Sequence, residues 1–277
     1  MTDKTEASAK NVEGRPARRV GIHIYVLPNL LTTVNLFFGF FAIIYSINGN
    51  FTWAAYAIVV AAIFDQLDGR VARMANATSR FGAEYDSLSD LVSFGVAPGL
   101  LLFLWSLEPF GRLGWLASFF YVACGALRLA RFNVQSASIE KAYFQGLPIP
   151  MAAGIVASSV LAFVDLELDA ARSWGVLAMT FLLGFVMVST FRYRSFKDID
   201  FKHRLPFRYL VFGVFIFAMV AIRPETTLFV LFLSYAILGA IFGIWRLGSR
   251  YPRNTKPYSL ETDDDLTEEL EDHEPEN

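Results

Sequence analysis

Eight apolar runs, separated by short charged or proline-marked segments, constrain this chain more than any other feature. They lie at about 28–48, from Trp53 to Phe64, from Gly82 to Ser106, and at about 113–133, 148–165, 173–191, 207–222 and 226–245. A helix needs about 20 apolar residues to cross a hydrocarbon core of roughly 30 Å. The fold class expected is therefore all-α, a polytopic transmembrane helical bundle of about eight spans. The second run should continue as a helix into the charged segment after Phe64. Pro28 suits the first turn of the first span, where a missing N–H is no loss. Pro98-Gly99 is expected to kink the third.

Composition agrees. The chain is 55% hydrophobic and only 18% charged, an apolar share above that of soluble domains. The single Cys124 excludes an internal disulfide framework and a cysteine-rich metal site. The net charge of -2 hides an asymmetry, since ten of the 26 acids lie between Glu261 and Glu276. Three regions are expected: a polar N-terminus at 1–24, a membrane domain at 25–250, and an acidic disordered tail at 251–277. Arg15, Arg18 and Arg19 precede the first run without a small-residue cleavage site, so that run reads as a retained span.

The Lys/Arg distribution sets an orientation. Of 24 basic residues, 21 fall in the termini and the loops after spans two, four and six; the other side keeps only Arg112, Arg172 and Arg223. Positive residues stay inside. Both termini and those loops are predicted to be cytoplasmic, in a multi-pass protein of the cell's inner membrane. The basic loop at 191–208 would attract anionic headgroups or serve topology alone. Membrane lipids are expected partners; nucleic acid is not.

Within this oily chain, Asp65, Asp68, Asp86 and Asp90 stand between two apolar runs. Ionisable groups at a membrane are costly and point to function. At about 100° per residue, Asp65 and Asp68 fall some 60° apart on one helix face, with Gly69 and Ala72 beside them. Asp86 and Asp90 lie one turn apart on the next helix, with Gly82 a further turn back. Two helices carrying acid pairs among small residues can approach closely and hold hard cations. Oxygen-only ligands favour Mg²⁺ or Mn²⁺ over zinc. Four carboxylates suit two divalent cations about 3.5–4 Å apart, an arrangement that serves phosphoryl transfer. Arg70, Arg73 and Arg80 are placed to meet phosphate. An ion-pair cluster of these acids and arginines is the plain structural alternative. A transporter pathway would distribute acids through the membrane depth, whereas these gather at one face. Thr32 and Asn35 follow Asn29 at helical spacing, as helix–helix hydrogen bonds or as substrate contacts.

The pattern Asp65-x2-Asp68-Gly69-x2-Ala72-Arg73-x8-Gly82-x3-Asp86-x3-Asp90 resembles the signature of the CDP-alcohol phosphotransferases at every defined position. The start of the first span, Pro28-Asn29-x2-Thr32-x2-Asn35, is similar to that family too. The resemblance implies an integral membrane enzyme that displaces CMP from a CDP-linked donor with an alcohol. It implies that Asp65, Asp68 and Asp86 bind two metals, and that Asp90 joins the second metal and acts as general base. Gly69, Ala72, Arg73 and Gly82, with Asn29 and Thr32, would meet the CDP donor. A homodimer is implied as well.

The acceptor is decided elsewhere. The segments at 87–99, 125–134 (GALRLARFNV) and 144–154 (FQGLPIPMAAG) look like those of the integral-membrane phosphatidylserine synthases, a likeness covering about 25–250. It implies CDP-diacylglycerol as donor and the hydroxyl of L-serine as nucleophile. Glycerol phosphate or inositol phosphate are alternative acceptors. Arg128, Arg131, Asn133 and Gln145 are candidates to hold serine, or, for the two arginines, cytoplasmic anchors. Pro148 and Pro150 should shape the entry of span five. The other route to phosphatidylserine uses HxK motifs. His23, His203 and His273 are none of them followed by x-Lys, so that route is excluded.

Overall fold

The computed structural model describes residues 23–75, 79–136, 144–189, 192–193 and 207–248. Every expected apolar run is a helix. In chain order they are α1 (His23–Ile47), α2 (Phe51–Met74), α3 (Arg80–Phe110), α4 (Arg112–Ser136), α5 (Ile149–Asp165), α6 (Trp174–Val188), α7 (Phe207–Ile222) and α8 (Pro224–Gly248). Five of them are long and apolar enough to cross a membrane: α1 to α4 and α8. The apolar helices Ile149–Asp165, Trp174–Val188 and Gly213–Ile222 are shorter. The acidic tail at 251–277, the residues before His23 and most of the basic loop at 191–208 lie outside the described residues.

Several boundaries differ from the sequence reading, each for a physical reason. Helix α1 begins at His23, so Pro28 sits inside it and not in its first turn. The missing N–H would have bonded the carbonyl of Ile24, so only one bond near the helix end is lost. Helix α3 begins at Arg80, ahead of Gly82, because Ser79 caps it by accepting from Gly82 N–H at 2.9 Å. Pro98 does not interrupt α3. The helix instead widens into π-turns at Leu91–Val96 and Phe103–Leu107, on either side of an α segment at Ala97–Leu102. Fully buried Tyr121 of α4 donates to the carbonyl of Phe94, within the first π-turn, at 3.1 Å.

Small side chains set how closely the helices pack, as expected where lipid leaves no hydrophobic drive between helices. Ala54, Ala55, Ala57 and Ala61 make up most of the buried residues of α2, with Ile58 and Asp68. Gly39 of α1 sits so close to α3 that a Cβ there would lie 2.6 Å from Ser93 Cα. The α1–α2 connection turns at Gly49, whose φ of +74° suits glycine. Helix α5 is the central one. It is buried on most faces from Ile149 to Ala162 and touches α2, α3 and α8. The large apolar residues left exposed, such as Phe37, Phe40, Trp53, Trp115 and Phe119, face outward where lipid would lie.

A two-residue ladder also appears, pairing Phe144 with Tyr193 and Gln145 with Arg192. It joins the loop after α4 to the loop after α6. At the opposite end, Arg223 pairs with Asp165 at 3.2 Å and Thr226 donates to the same carboxylate at 2.9 Å. That contact ties the start of α8 to the end of α5.

Candidate active site

The acid pairs of α2 and α3 do meet. Carboxylate oxygens of Asp65, Asp68 and Asp86 lie within 4.8 Å of one another. Asp90 stands outside that trio but within hydrogen-bonding reach of Asp65. Asp68 is buried, with only 4% of its surface exposed, and the other three acids are half-buried. Unit charges at such spacing repel by roughly 3–4 kcal/mol per pair at an effective dielectric near 20. Something must offset this. Among the described residues no lysine or arginine comes within salt-bridge distance of the four carboxylates. An ion-pair cluster of these acids and arginines is therefore not what the helices build.

A divalent cation fits instead. The donors are hard oxygens only, converging from two helices. Asp86 Oδ1 is buried without a hydrogen-bond partner, as a ligand atom would be. Asp65, Asp68 and Asp86 are the residues that would hold the ion.

Helix α1 supports the acids from one side. Thr32 Oγ1 donates to Asp68 Oδ2 at 2.8 Å, while also lying 3.1 Å from the carbonyl of Pro28. Asn35 Nδ2 donates to Asp90 Oδ1 at 3.3 Å. Ser89 and Ser93 of α3 donate to the backbone carbonyls of Thr32 and Asn35, each at 3.1 Å. Gly82 lets Asn29 approach: a Cβ at Gly82 would lie 3.3 Å from Asn29 Oδ1. The Arg73 guanidinium folds back over Gly69, 3.5 Å from where a Cβ would stand. Ala72 is half-buried on the same helix. Asn29 thus meets Gly82, and Arg73 meets Gly69, on the three helices that hold the acids. Sequence reasoning missed the anchoring role of Ser89 and Ser93. Ser89, three residues after Asp86 in the regular α segment, carried the available signal; Ser93 lies in the π-turn, where that spacing no longer applies.

The acceptor candidates separate. Arg128 is half-buried and close enough to Asp90 for their charges to interact, and its Nε is buried without a hydrogen-bond partner. Arg131 turns away, and its Nη1 donates to the carbonyl of Val188 at 2.8 Å, capping α6. Asn133 Nδ2 donates to Ser87 Oγ at 3.0 Å, joining α4 to α3. The backbone of Gln145 lies in the two-residue ladder. The segment after it docks on the end of α6. Leu147 N–H donates to the Val186 carbonyl at 3.3 Å, and Gly146 takes a φ of +79° against Ser189. Pro148 is the N-cap of α5, as its expected role in the entry of that helix requires.

Residues 25–191, more than half of the chain, match the CDP-alcohol phosphatidyltransferase family. The chain belongs to that family. The match takes in the acid cluster and every acceptor candidate. A CDP-diacylglycerol–serine O-phosphatidyltransferase of Helicobacter pylori strain J99 is 40% identical over 225 residues, 79% of this chain and 92% of that protein. An archaetidylserine synthase of Methanothermobacter thermautotrophicus is 41% identical over 147 residues, 52% of this chain and 62% of the relative. A further CDP-diacylglycerol–serine O-phosphatidyltransferase, from Saccharomyces cerevisiae, is 39% identical over 153 residues, 48% of this chain and 55% of the relative.

Proposed function

We propose that this member of the CDP-alcohol phosphatidyltransferase family transfers the phosphatidyl group of CDP-diacylglycerol to the hydroxyl of L-serine, giving phosphatidylserine and CMP. One observation carries the choice of acceptor. The names of the relatives differ in the lipid part but share serine. The acid cluster between α2 and α3 supports the reaction type.

The chemistry assigned to the residues is a direct displacement. The serine oxygen attacks the phosphorus that carries diacylglycerol, and the bond from that phosphorus to the CMP oxygen breaks. Asp90 accepts the serine proton, which needs hydrogen-bond reach in the bound complex. Arg73, with Arg70 and Arg80 nearby, offsets the charge of the donor's phosphates. Divalent cations, Mg²⁺ or Mn²⁺, held by Asp65, Asp68 and Asp86 would neutralise the pyrophosphate and the departing CMP. We assign two, with Asp90 beside the second. Gly69, Ala72 and Gly82 keep space for the nucleotide, and Asn29 and Thr32 border it. Arg128 is the cation best placed for the serine carboxylate.

The acyl chains need no aqueous path. An apolar groove of about 430 Å³, lined by Thr33, Leu36, Phe37, Phe40 and Val92, opens sideways between α1 and α3. We assign this groove to the donor's acyl chains, entering sideways from lipid. The Lys/Arg distribution supports a cytoplasmic site and cytoplasmic termini. A homodimer is the assembly expected of the family.

The test is a purified enzyme in lipid nanodiscs with CDP-diacylglycerol, labelled serine and Mg²⁺ or Mn²⁺. CMP release matched by label in the lipid is expected. CMP release with glycerol phosphate or inositol phosphate but not with serine would overturn the acceptor and leave the reaction type intact.

A further inference from the structure

Asn35 is fully buried, with none of its surface exposed. Its two polar atoms are treated very differently. Nδ2 donates to Asp90 Oδ1 at 3.3 Å, while Oδ1 is buried with no hydrogen-bond partner. Reversing the amide would relieve neither atom, since it would set a carbonyl against a carboxylate oxygen. A buried amide carbonyl left unpaired is costly, and such groups in a folded protein call for an explanation.

The residue cannot drift to find another partner. Its backbone carbonyl accepts from Ser93 Oγ and that of Thr32 accepts from Ser89 Oγ, each at 3.1 Å. Gly39, one turn further on, brings α1 against the backbone of Ser93. Asn35 is thus fixed against Asp90, the acid assigned above as base, and Arg128 is near the same acid.

We propose that Asn35 is a positioning and acceptor-recognition residue. Its Nδ2 holds Asp90 in the rotamer that meets the acceptor hydroxyl. Its Oδ1 accepts a hydrogen bond from an ammonium group on the carbon next to the one bearing that hydroxyl. A hydroxyl and an ammonium on neighbouring carbons are spaced to reach a carboxylate and an adjacent amide carbonyl together. The acceptor class this pair reads is the 1,2-amino alcohol. The third substituent, a carboxylate, is left to Arg128. A phosphorylated polyol offers no ammonium to the carbonyl. This rests on the reading of Asp90 as base and serine as acceptor.

The test uses full-length protein in nanodiscs with Asn35→Leu, close to asparagine in volume, and Asn35→Ala. Three quantities are measured: kcat and KM for serine, the KM for CDP-diacylglycerol, and the rise in thermal midpoint on adding CDP-diacylglycerol with Mg²⁺. Losing the orientation of a general base should lower kcat about 30-fold or more. The KM for serine should rise roughly tenfold, the usual scale for a hydrogen bond to a charged group. The advantage of serine over 3-hydroxypropionate, which lacks only the ammonium, should shrink by a similar factor. The donor KM and the donor-induced thermal rise should stay within about twofold of the parent. A kcat within threefold of the parent, or an unchanged preference over 3-hydroxypropionate, would overturn the proposal. So would loss of the donor-induced rise, which would make Asn35 a support for the whole site. Asp90→Asn run in parallel separates the layers. If it keeps full turnover, the base assignment fails and takes the proposal with it. If it is inactive beside an unaffected Asn35→Leu, only the proposal fails.

Discussion

The donor side and the acceptor side of this site were both named from sequence motifs, yet the fold treats them differently. The donor motif sits on two consecutive helices, and its acids converge: Asp65, Asp68 and Asp86 bring oxygens within 4.8 Å of one another. The acceptor motifs sit at the end of α4 and in the loop that follows, and they disperse. Arg128 stays beside Asp90, but Arg131 caps α6 and Asn133 bonds Ser87. The lesson concerns what a motif can mean. Acids in a membrane have few structural uses, so four together mark chemistry. Arginines and amides at a helix end have several, and capping a neighbouring helix is one of them.

Substitutions test this contrast. The largest effect is expected from Asp86→Asn, which removes a charge whose buried oxygen has no protein partner. Turnover, read as CMP release, should fall on the order of 10³-fold, comparable with other losses of charge stabilisation at a reacting phosphate. Chelation by EDTA should match it, with recovery on adding Mg²⁺ or Mn²⁺. Next, Arg128→Ala should raise the KM for serine between about 10- and 100-fold while leaving the KM for CDP-diacylglycerol in place. If donor affinity collapsed instead, the division between the two sides would be wrong. Thr32→Val removes the hydrogen bond to Asp68. It should weaken the metal dependence about tenfold, the lower range for loss of a partner behind a ligand. The smallest effect on activity is expected from Arg131→Ala. Losing the cap on Val188 should cost about 1 kcal/mol and lower the thermal midpoint by a few degrees, with KM for serine little changed. A serine KM that rose as much as in Arg128→Ala would restore Arg131 to the site.

The helical wheel explains part of what was legible. Asp65 and Asp68 lie in α2, and Asp86 and Asp90 in the regular α segment Arg80–Asp90. A step of about 100° per residue therefore placed both pairs correctly. The π-turn begins at Leu91, immediately after Asp90, and the phase is lost there. No periodicity announces it, because it depends on accommodating Pro98 and on Tyr121 reaching the Phe94 carbonyl from another helix. The start of α1, at His23, differs from the expected one for a related reason. Pro28 marks a boundary by propensity, but one lost bond near a helix end is tolerable.

Among the described residues, the eight helices and the pairing of the acids follow from the amino-acid sequence, which also points to a hard cation, because apolar length, helical spacing and donor chemistry are local properties. It placed Thr32 and Asn35 on one polar edge without saying what that edge touches. Tertiary structure alone decided that Thr32 serves Asp68 and Asn35 serves Asp90, and that α3 locks to α1 through Ser89 and Ser93. It also decided that one arginine of α4 faces the acids while the other, three residues on, turns to α6. Those choices depend on which helix lies opposite at a given depth, and that relation has no counterpart in the spacing of residues along one strand of sequence.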